Sequence, residues 1–405
     1  MKKMDLITTP KKTGTVAVLV AGIMACTNAS AAGQAKNLYT VDLATWGVKS
    51  YAINLTSGAV TVQSPVRSLS DTPFSLAGTA DGKFIFGSTR SSDILTFATS
   101  SNGQLPPTDF NPPSFSVGLG VWQTVLHPNN KFAYALGTAY NITPLLVNQS
   151  TGALTSNGAT IATGLGPHAV IEPTGKFLYA ATGGLGFIAD PVNTGQIFSY
   201  RIDQKSGALT RIQKLALQSD ELLTGVSHPH AVAAAPNGKF IAVTELADAA
   251  NPSLKATRTF TIGDNGTLSP AGDDMSASGR NNVAVQIHPS SGYVFVSSVV
   301  LSGGGSIVAY KATPANGALM SKASEIVLAA DETPGPMAMD PSGAFLFVLL
   351  RRETNRPTAS FDTSLAAFAV SSEGKLTLRA RTMIEHDTGT AHSSLVDLVL
   401  GQKTQ

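Results

Sequence analysis

Apolar residues recur along this chain in short alternating runs rather than at helical spacing. Phe177-Leu178-Tyr179-Ala180, Ile197-Phe198-Ser199-Tyr200, Ile307-Val308-Ala309-Tyr310 and Phe345-Leu346-Phe347-Val348 are typical, rich in β-branched and aromatic side chains and flanked by Gly, Pro, Asn or Asp. Runs of this kind predict β-strands bounded by turns. No stretch of useful length carries the 3.6-residue period of an amphipathic helix.

Two short motifs punctuate the runs. The first is a turn followed by an aromatic residue that opens a strand: Ala80-Asp81-Gly82-Lys83-Phe84, Pro128-Asn129-Asn130-Lys131-Phe132, Pro173-Thr174-Gly175-Lys176-Phe177, Pro236-Asn237-Gly238-Lys239-Phe240, Pro289-Ser290-Ser291-Gly292-Tyr293 and Pro341-Ser342-Gly343-Ala344-Phe345. The second, Gly-x-Leu or Gly-x-Val, begins at Gly58, Gly103, Gly152, Gly207, Gly266, Gly317 and Gly374. Six copies thus stand against seven. A period near 50 residues with about four strands per unit is the signature of a β-propeller, whose blades bury their faces only against neighbours.

The mismatch suggests how the ring closes. Asn37-Leu38-Tyr39-Thr40-Val41 matches the strand after the turn motif but lacks the strand before it, and Ser393-Ser394-Leu395-Val396-Asp397-Leu398-Val399 is a strand-like segment near the other end. The expected fold is all-β, one seven-bladed β-propeller over residues 36–402, closed by N- and C-terminal strands sharing one blade so that no open edge remains. A two-sheet sandwich array is the alternative.

The spacing from motif aromatic to following glycine is 19 residues for Phe84–Gly103 and 20 for Phe132–Gly152. It grows to 30 for Phe177–Gly207, 26 for Phe240–Gly266, 24 for Tyr293–Gly317 and 29 for Phe345–Gly374. Insertions in a repeat become loops, often on the binding face. Four consecutive blades are therefore expected to carry a built-up rim, with inserts around 183–190, 245–251, 301–305 and 351–357. Gly303-Gly304-Gly305 is not a phosphate loop, because neither Lys-Ser/Thr nor a helix follows it.

Composition narrows the setting. Lys2, Lys3, Lys11 and Lys12 precede an apolar stretch from Thr15 to Ala25 and then Ala29-Ser30-Ala31, which reads as a signal peptide over residues 1–31. The apolar stretch is too short to span a bilayer of roughly 30 Å, and no integral membrane segment follows it. The protein is expected in the periplasm or secreted. Ile23-Met24-Ala25-Cys26 also resembles a lipobox, which offers lipid anchoring through Cys26 as a second route. Without the leader 24 basic residues face 25 acidic ones, net −1, which disfavours a nucleic-acid partner. Cys26 is the single cysteine, so no intrachain disulfide or Cys-based zinc site can form.

The innermost strand of each blade lines the channel, so residues just ahead of the turn motifs converge from distant parts of the chain. That position offers Phe74, Gln123, His168, His230, Arg280-Asn281-Asn282, Pro336 and His392. Imidazole titrates near working pH and arginine keeps its charge, so these groups suit proton transfer and stabilisation of an oxyanion. His168, His230, Arg280 and Asn282 are the catalytic candidates; Gln123, Gln286, His228 and His392 are expected to contact substrate. His127 and His288 directly precede a turn proline and read as turn residues. A zinc site of His168, His230 and His392 would match a known ligand set, yet the three come from distant blades, and neither a metal nor another cofactor is expected.

The alternation of Pro-x-Gly-Lys-Phe with Gly-x-Leu, together with Gly166-Pro167-His168-Ala169-Val170 and Ser227-His228-Pro229-His230-Ala231-Val232, resembles the lactonase family of seven-bladed propellers, which includes propeller-type 6-phosphogluconolactonases and carboxymuconate-lactonising enzymes. The resemblance implies a lactone-opening site at the channel mouth served by His, Glu and Arg. Three positions depart from the family pattern: Val285-Gln286-Ile287 in place of a Glu-bearing strand, Ser297-Ser298-Val299 in place of Ser-Asn-Arg, and Pro334-Gly335-Pro336 in place of Pro-Arg-His. Two functions follow as expectations. One is an exported hydrolase of an unphosphorylated lactone or carbohydrate-like substrate; the other is a non-catalytic periplasmic propeller that binds a small molecule, glycan or protein.

Overall fold

A computed structural model describes residues 18–20, 37–42, 47–63, 67–68, 73–89, 91–106, 113–118, 120–137, 141–163, 167–182, 195–217, 228–246, 257–272, 275, 281–300, 304–355 and 360–387. Among them are strands and turns, with no helix. Seven sheets form blades in chain order. Blade 1 holds Asn37–Asp42, Gly47–Ile53 and Val60–Val62; blade 2 holds Pro73–Gly78, Phe84–Thr89, Asp93–Ala98 and Ser114–Ser116. Blade 3 comprises Val121–Leu126, Phe132–Gly137, Asn141–Val147 and Leu154–Ser156; blade 4 comprises Pro167–Ile171, Phe177–Thr182, Gln196–Ile202 and Leu209–Ala216. Blade 5 runs His228–Ala234, Phe240–Leu246, Thr257–Ile262 and Leu268–Pro270; blade 6 runs Asn281–Ile287, Tyr293–Val299, Gly305–Ala312 and Leu319–Val327. Blade 7 is built from Glu332–Met339, Phe345–Asn355, Ser360–Val370 and Leu376–Asp387.

Each hydrophobic cluster straddles one seam between neighbouring blades. Tyr39 and Val48 meet Leu76 and Phe97 between blades 1 and 2, and so on around the ring. The last seam joins Leu38, Tyr51 and Ile53 of blade 1 to Phe345, Phe347 and Leu365 of blade 7. The core is therefore a closed series of interfaces, which is why second strands such as Phe132–Gly137 are buried on both faces.

The two sequence motifs turn out to be halves of one contact. In every blade the Gly-x-Leu glycine adopts positive φ, and in six of the seven the motif aromatic of the preceding blade lies against it. A Cβ on Gly207 would sit 2.5 Å from Phe132, on Gly266 2.3 Å from Phe177, on Gly317 2.4 Å from Phe240, and on Gly374 2.4 Å from Tyr293. Only glycine supplies both the conformation and the space. The seventh partner is Asn37, against Gly103, so the copy missing from the sequence count is an asparagine standing where an aromatic would be. Buried tyrosines reinforce the same seams: Tyr39, Tyr134 and Tyr179 donate their hydroxyls to the carbonyls of Gly103, Gly207 and Gly266.

On the turn face, blades 3 and 6 act as clasps. His127 donates Nε2–H to the Gly175 carbonyl of blade 4 at 2.8 Å and accepts Asn129 N–H at Nδ1, while Asn130 Oδ1 accepts Ala80 N–H of blade 2. His288 reaches the Gly343 carbonyl of blade 7, and Ser291 Oγ accepts Asn237 N–H of blade 5. Both histidines are thus turn residues, as expected. Asn130 and Ser291 hold positive φ, 58° and 57°, where the other turns carry glycine.

One strand expected at the closure falls outside the described residues, and one insert meets a different arrangement. At the inner edge of blade 1, Val18–Val20 pairs in parallel with Asn37–Tyr39; Ser393–Val399, expected there, lies outside the described residues. In blade 7 the inserted residues 351–355 are not loop but continue the strand pairing, with Arg351 opposite Thr363 and Asn355 opposite Ser360.

Candidate functional site

Strand pairing places the candidate residues at one end of the ring. Pro167 pairs with Thr182, His228 with Leu246 and Asn281 with Val299. The starts of the inner strands therefore sit beside the ends of the second strands, where the inserts begin. The turn motifs close the opposite face. The mouth at the insert end is the candidate site.

There the inner strands are bulged. Blades 2, 3, 5, 6 and 7 shift register between Pro73 and Ser75, Val121 and Gln123, Pro229 and Ala231, Asn282 and Ala284, and Pro334 and Met337. The register passes over Phe74, Trp122, His230, Val283 and the Gly335-Pro336 pair. A bulge re-aims a side chain and recurs beside binding sites. Blade 4 has none, and its His168 pairs regularly with Ala181. His168 and His230 are therefore not at equivalent positions; His168 shares its level with Gln123 and Ala231.

Face alternation then identifies what His168 confronts. His168 is two residues from Val170, and Val170 packs in one cluster with Val232 and Val243 of blade 5. Glu245 is two residues beyond Val243, and Arg258 is cross-strand neighbour to Val243. His168, Glu245 and Arg258 accordingly line facing walls of the crevice between blades 4 and 5. Arg258 Nε lies 3.4 Å from Glu245 Oε1, with the glutamate side chain 1% exposed and the arginine 12%. The half-buried His168 thus shares a seam with an ion pair largely withdrawn from water. Glu245 and Arg258 went unrecognised in the sequence because a masking insert separates them; the alternation Val243-x-Glu245 on a strand beside His228-Pro229-His230 was the available signal.

The other candidates divide. Gln123 is buried, its Nε2 donating to Ala169 O at 3.2 Å and its Oε1 accepting Ala169 N–H at 2.9 Å; it tethers blade 3 to blade 4. Gln286 donates to Met337 O across the seam between blades 6 and 7. Asn282 is fully buried, donating to Thr257 Oγ1 of blade 5 and accepting from Ser298. These three amides brace seams beside the mouth. His228 and His230 stand at the start of the blade 5 inner strand. Arg280 and His392 lie outside the described residues, and among the described residues no three metal-ligating side chains come together.

The sequence pattern described as Lactonase, 7-bladed beta-propeller matches residues 124–389. The chain belongs to this lactonase family. Among solved structures, its fold resembles two Bacteroides proteins assigned as 6-phosphogluconolactonases. The one from Bacteroides uniformis ATCC 8492 has TM-score 0.64 and 15% identity, over 85% of this chain and 94% of that one. The one from Bacteroides fragilis NCTC 9343 has TM-score 0.62 and 19% identity, over 84% and 92%. A periplasmic gluconolactonase of Pseudomonas aeruginosa follows at TM-score 0.58 and 16% identity, over 78% and 86%. At such identities the likeness is one of fold. No curated protein matches the chain. Gln286, Ser298 and Pro336 stand where the family resemblance leads one to expect Glu, Asn and His; Gln286 is occupied in a seam contact with blade 7, and Ser298 bonds Asn282 within its own blade.

Proposed function

We propose that this lactonase-family propeller hydrolyses an unphosphorylated lactone at the mouth of the crevice between blades 4 and 5. The observation that carries the reading is the placement of His168 on the same blade 4–5 seam as Glu245 and its partner Arg258. In the proposed reaction His168 takes a proton from water while the water oxygen bonds to the lactone carbonyl carbon. The tetrahedral intermediate collapses by breaking the bond from carbonyl carbon to ring oxygen, and the imidazolium returns its proton to that oxygen, giving the open hydroxy acid. Glu245 stabilises the transient imidazolium as a neighbouring negative charge does. The two positions where the family resemblance leads one to expect Arg hold Val299 and Gly335 here, which supports an unphosphorylated substrate.

The test is a panel of sugar and aromatic lactones with wild type, His168→Ala and Glu245→Gln, folding being checked by circular dichroism. Turnover that falls by about 10²–10⁴-fold in His168→Ala is the size expected for a lost proton-transfer group. Equal turnover in the variant removes the reading. Seam-bound Gln286 and Asn282 favour a second reading, a non-catalytic propeller that binds its ligand at this mouth; saturable binding without turnover in wild type would establish it.

We also propose that residues 1–31 direct export to the periplasm or beyond. The charged start, short apolar stretch and Ala29-Ser30-Ala31 support it. N-terminal sequencing of protein recovered from the periplasmic fraction would show a start near Ala32; uncleaved chain in the cytoplasm would refute it.

A further inference from the structure

We propose a second binding site, on the rim of blade 4 and separate from the crevice between blades 4 and 5. Its ligand is a tetrahedral oxyanion, the phosphate or sulfate group of a small molecule, held by Arg211, Lys214 and the hydroxyl of Tyr200. The site stands on the face turned to blade 3 and does not depend on the lactone chemistry.

Arg211 and Lys214 are three residues apart, a spacing that puts side chains on opposite faces of a regular strand. The pairing of Leu209–Ala216 with Gln196–Ile202 prevents this. Ser199 stands opposite Gln213 and Tyr200 opposite Arg211, so the register passes over Ile212. That bulge returns both cations to the face of Phe198 and Tyr200, as bulges re-aim side chains elsewhere. The Arg211 guanidinium carbon lies 5.8 Å and Lys214 Nζ 5.9 Å from the centre of the Phe198 ring. Two like charges thus converge over one buried ring, which packs with Phe132 and Ile142 of blade 3.

Blade 6 repeats the geometry with different charges. There Val308 stands opposite Glu325 and Tyr310 opposite Lys322, with the same bulge between them, and Lys322 bonds Glu325 at 2.7 Å. Blade 4 carries Lys214 at the position of that glutamate, so the cation opposite its tyrosine faces another cation instead. Blade 3 brings no carboxylate across the seam, because the chain has no Asp or Glu between Asp109 and Glu172. Among the described residues of blade 4, Glu172 accepts bonds from Thr174, Lys176 and Phe177, and Asp203 from Lys205 and Ser206, each within its own turn.

Tyr200 supplies the third donor. Its side chain is 1% exposed, and its hydroxyl has no hydrogen-bond partner among the described residues. A buried hydroxyl left unbonded is costly. The charge of Arg211 acts on this phenol, opposing the rise in pKa that burial imposes. Three donors on one face match the three terminal oxygens of a phosphate or sulfate group, where a carboxylate has two. The arginine fork and the lysine point charge both suit such a group.

The test titrates the protein with inorganic phosphate, sulfate and acetate at constant ionic strength, read by calorimetry and by Tm. Saturable binding of phosphate or sulfate is expected, with Tm rising as the folded state is occupied, and acetate should bind at least about tenfold more weakly. Arg211→Gln/Lys214→Gln should abolish the response. Tyr200→Phe deletes a hydroxyl that the fold leaves unbonded, so it should keep the wild-type Tm without ligand and bind about tenfold more weakly, as for one lost hydrogen bond to a charged group. It decides the matter even where the double variant fails to fold. Unsaturable binding of both phosphate and sulfate, acetate bound as tightly, or a response unchanged in the double variant or in Tyr200→Phe overturns the proposal.

Discussion

The ring of Phe345, in the last blade, lies on Gly58, in the first. A Cβ on Gly58 would fall 2.9 Å from Phe345 Cδ1 and equally close to the Ala367 Cβ, and Gly58 itself holds φ +74°. The same contact recurs at the other seams, but here it joins the two ends of the propeller. Around it Lys49 donates to the Ile384 carbonyl and Thr382 to that of Val60.

Gly58→Ala is expected to weaken this closure from both sides. Left-handed backbone costs an L-residue about 1–2 kcal/mol, and the added methyl overpacks the seam by about 1–3 kcal/mol. Phe345→Ala should cost about 3–5 kcal/mol through the cavity it leaves. Urea denaturation of both single variants and the double variant checks the contact: the double should cost less than the sum, because the ring that the methyl strikes is gone. Strict additivity would mean that Gly58 and Phe345 do not touch.

Most of the propeller was legible because turn chemistry and strand alternation are local. Pro-x-Gly-Lys-Phe and Gly-x-Leu each announce themselves within five residues, and their numbers count the blades. What they do together is not local, since Phe132 and Gly207 meet only after two blades have folded. The site was legible only in part for the same reason. His168 is identifiable from its place before a turn motif. Glu245 and Arg258 are not, because they come together through the pairing of two strands with an insert between. Gln123 and Gln286 have the polarity of ligand contacts, and sequence does not say whether an inner-strand amide faces the channel or the next blade. A bulge shifts that choice by one residue and is invisible before pairing is known.

Gln123→Ala should destabilise the fold more than its loss of side-chain area suggests. It strips partners from both Ala169 N–H and Ala169 C=O in a buried seam, and each orphaned group costs about 1–3 kcal/mol. Chemical denaturation measures the loss. Lactone turnover should also fall in Gln123→Ala at temperatures where the fold is intact, since the tether to Ala169 holds the strand that carries His168.

The clasp histidines make stability depend on acidity. Burial holds His127 and His288 below the usual imidazole value of 6.5, against weaker opposing hydrogen bonds to Gly175 and Gly343 and, for His127, the charge of Glu172. The unfolded chain therefore binds protons first as pH falls. Their contribution is full above about pH 6.5, is lost as pH drops through the lowered folded values, and does not decline further below them. Protonation also replaces the Nδ1 lone pair that accepts Asn129 N–H with a second donor. Urea midpoints at pH 7.5 and 5 should differ for wild type and differ less for a His127→Gln/His288→Gln double variant. Equal slopes in the two proteins would assign the acid sensitivity elsewhere.

Glu245 and Arg258 should prove unequal partners. The carboxylate is 1% exposed and the guanidinium 12%, so Arg258→Met strands the more deeply buried charge, at a cost of about 3–5 kcal/mol for a broken buried pair. Glu245→Gln leaves the cation with partial access to water and keeps an acceptor in place, so its cost should be smaller. Removing both charges with Glu245→Gln/Arg258→Met should recover part of the loss, since apolar or neutral replacements of a buried pair are tolerated better than half a pair. Denaturation of the three variants gives the cycle, and lactone turnover gives the second readout. Glu245→Gln and the double variant should both lose kcat, because neither retains the carboxylate that shares the seam with His168, even though the double variant is the more stable relative to Arg258→Met. A double variant that regains both stability and turnover would make the pair purely structural and move the chemistry away from this crevice.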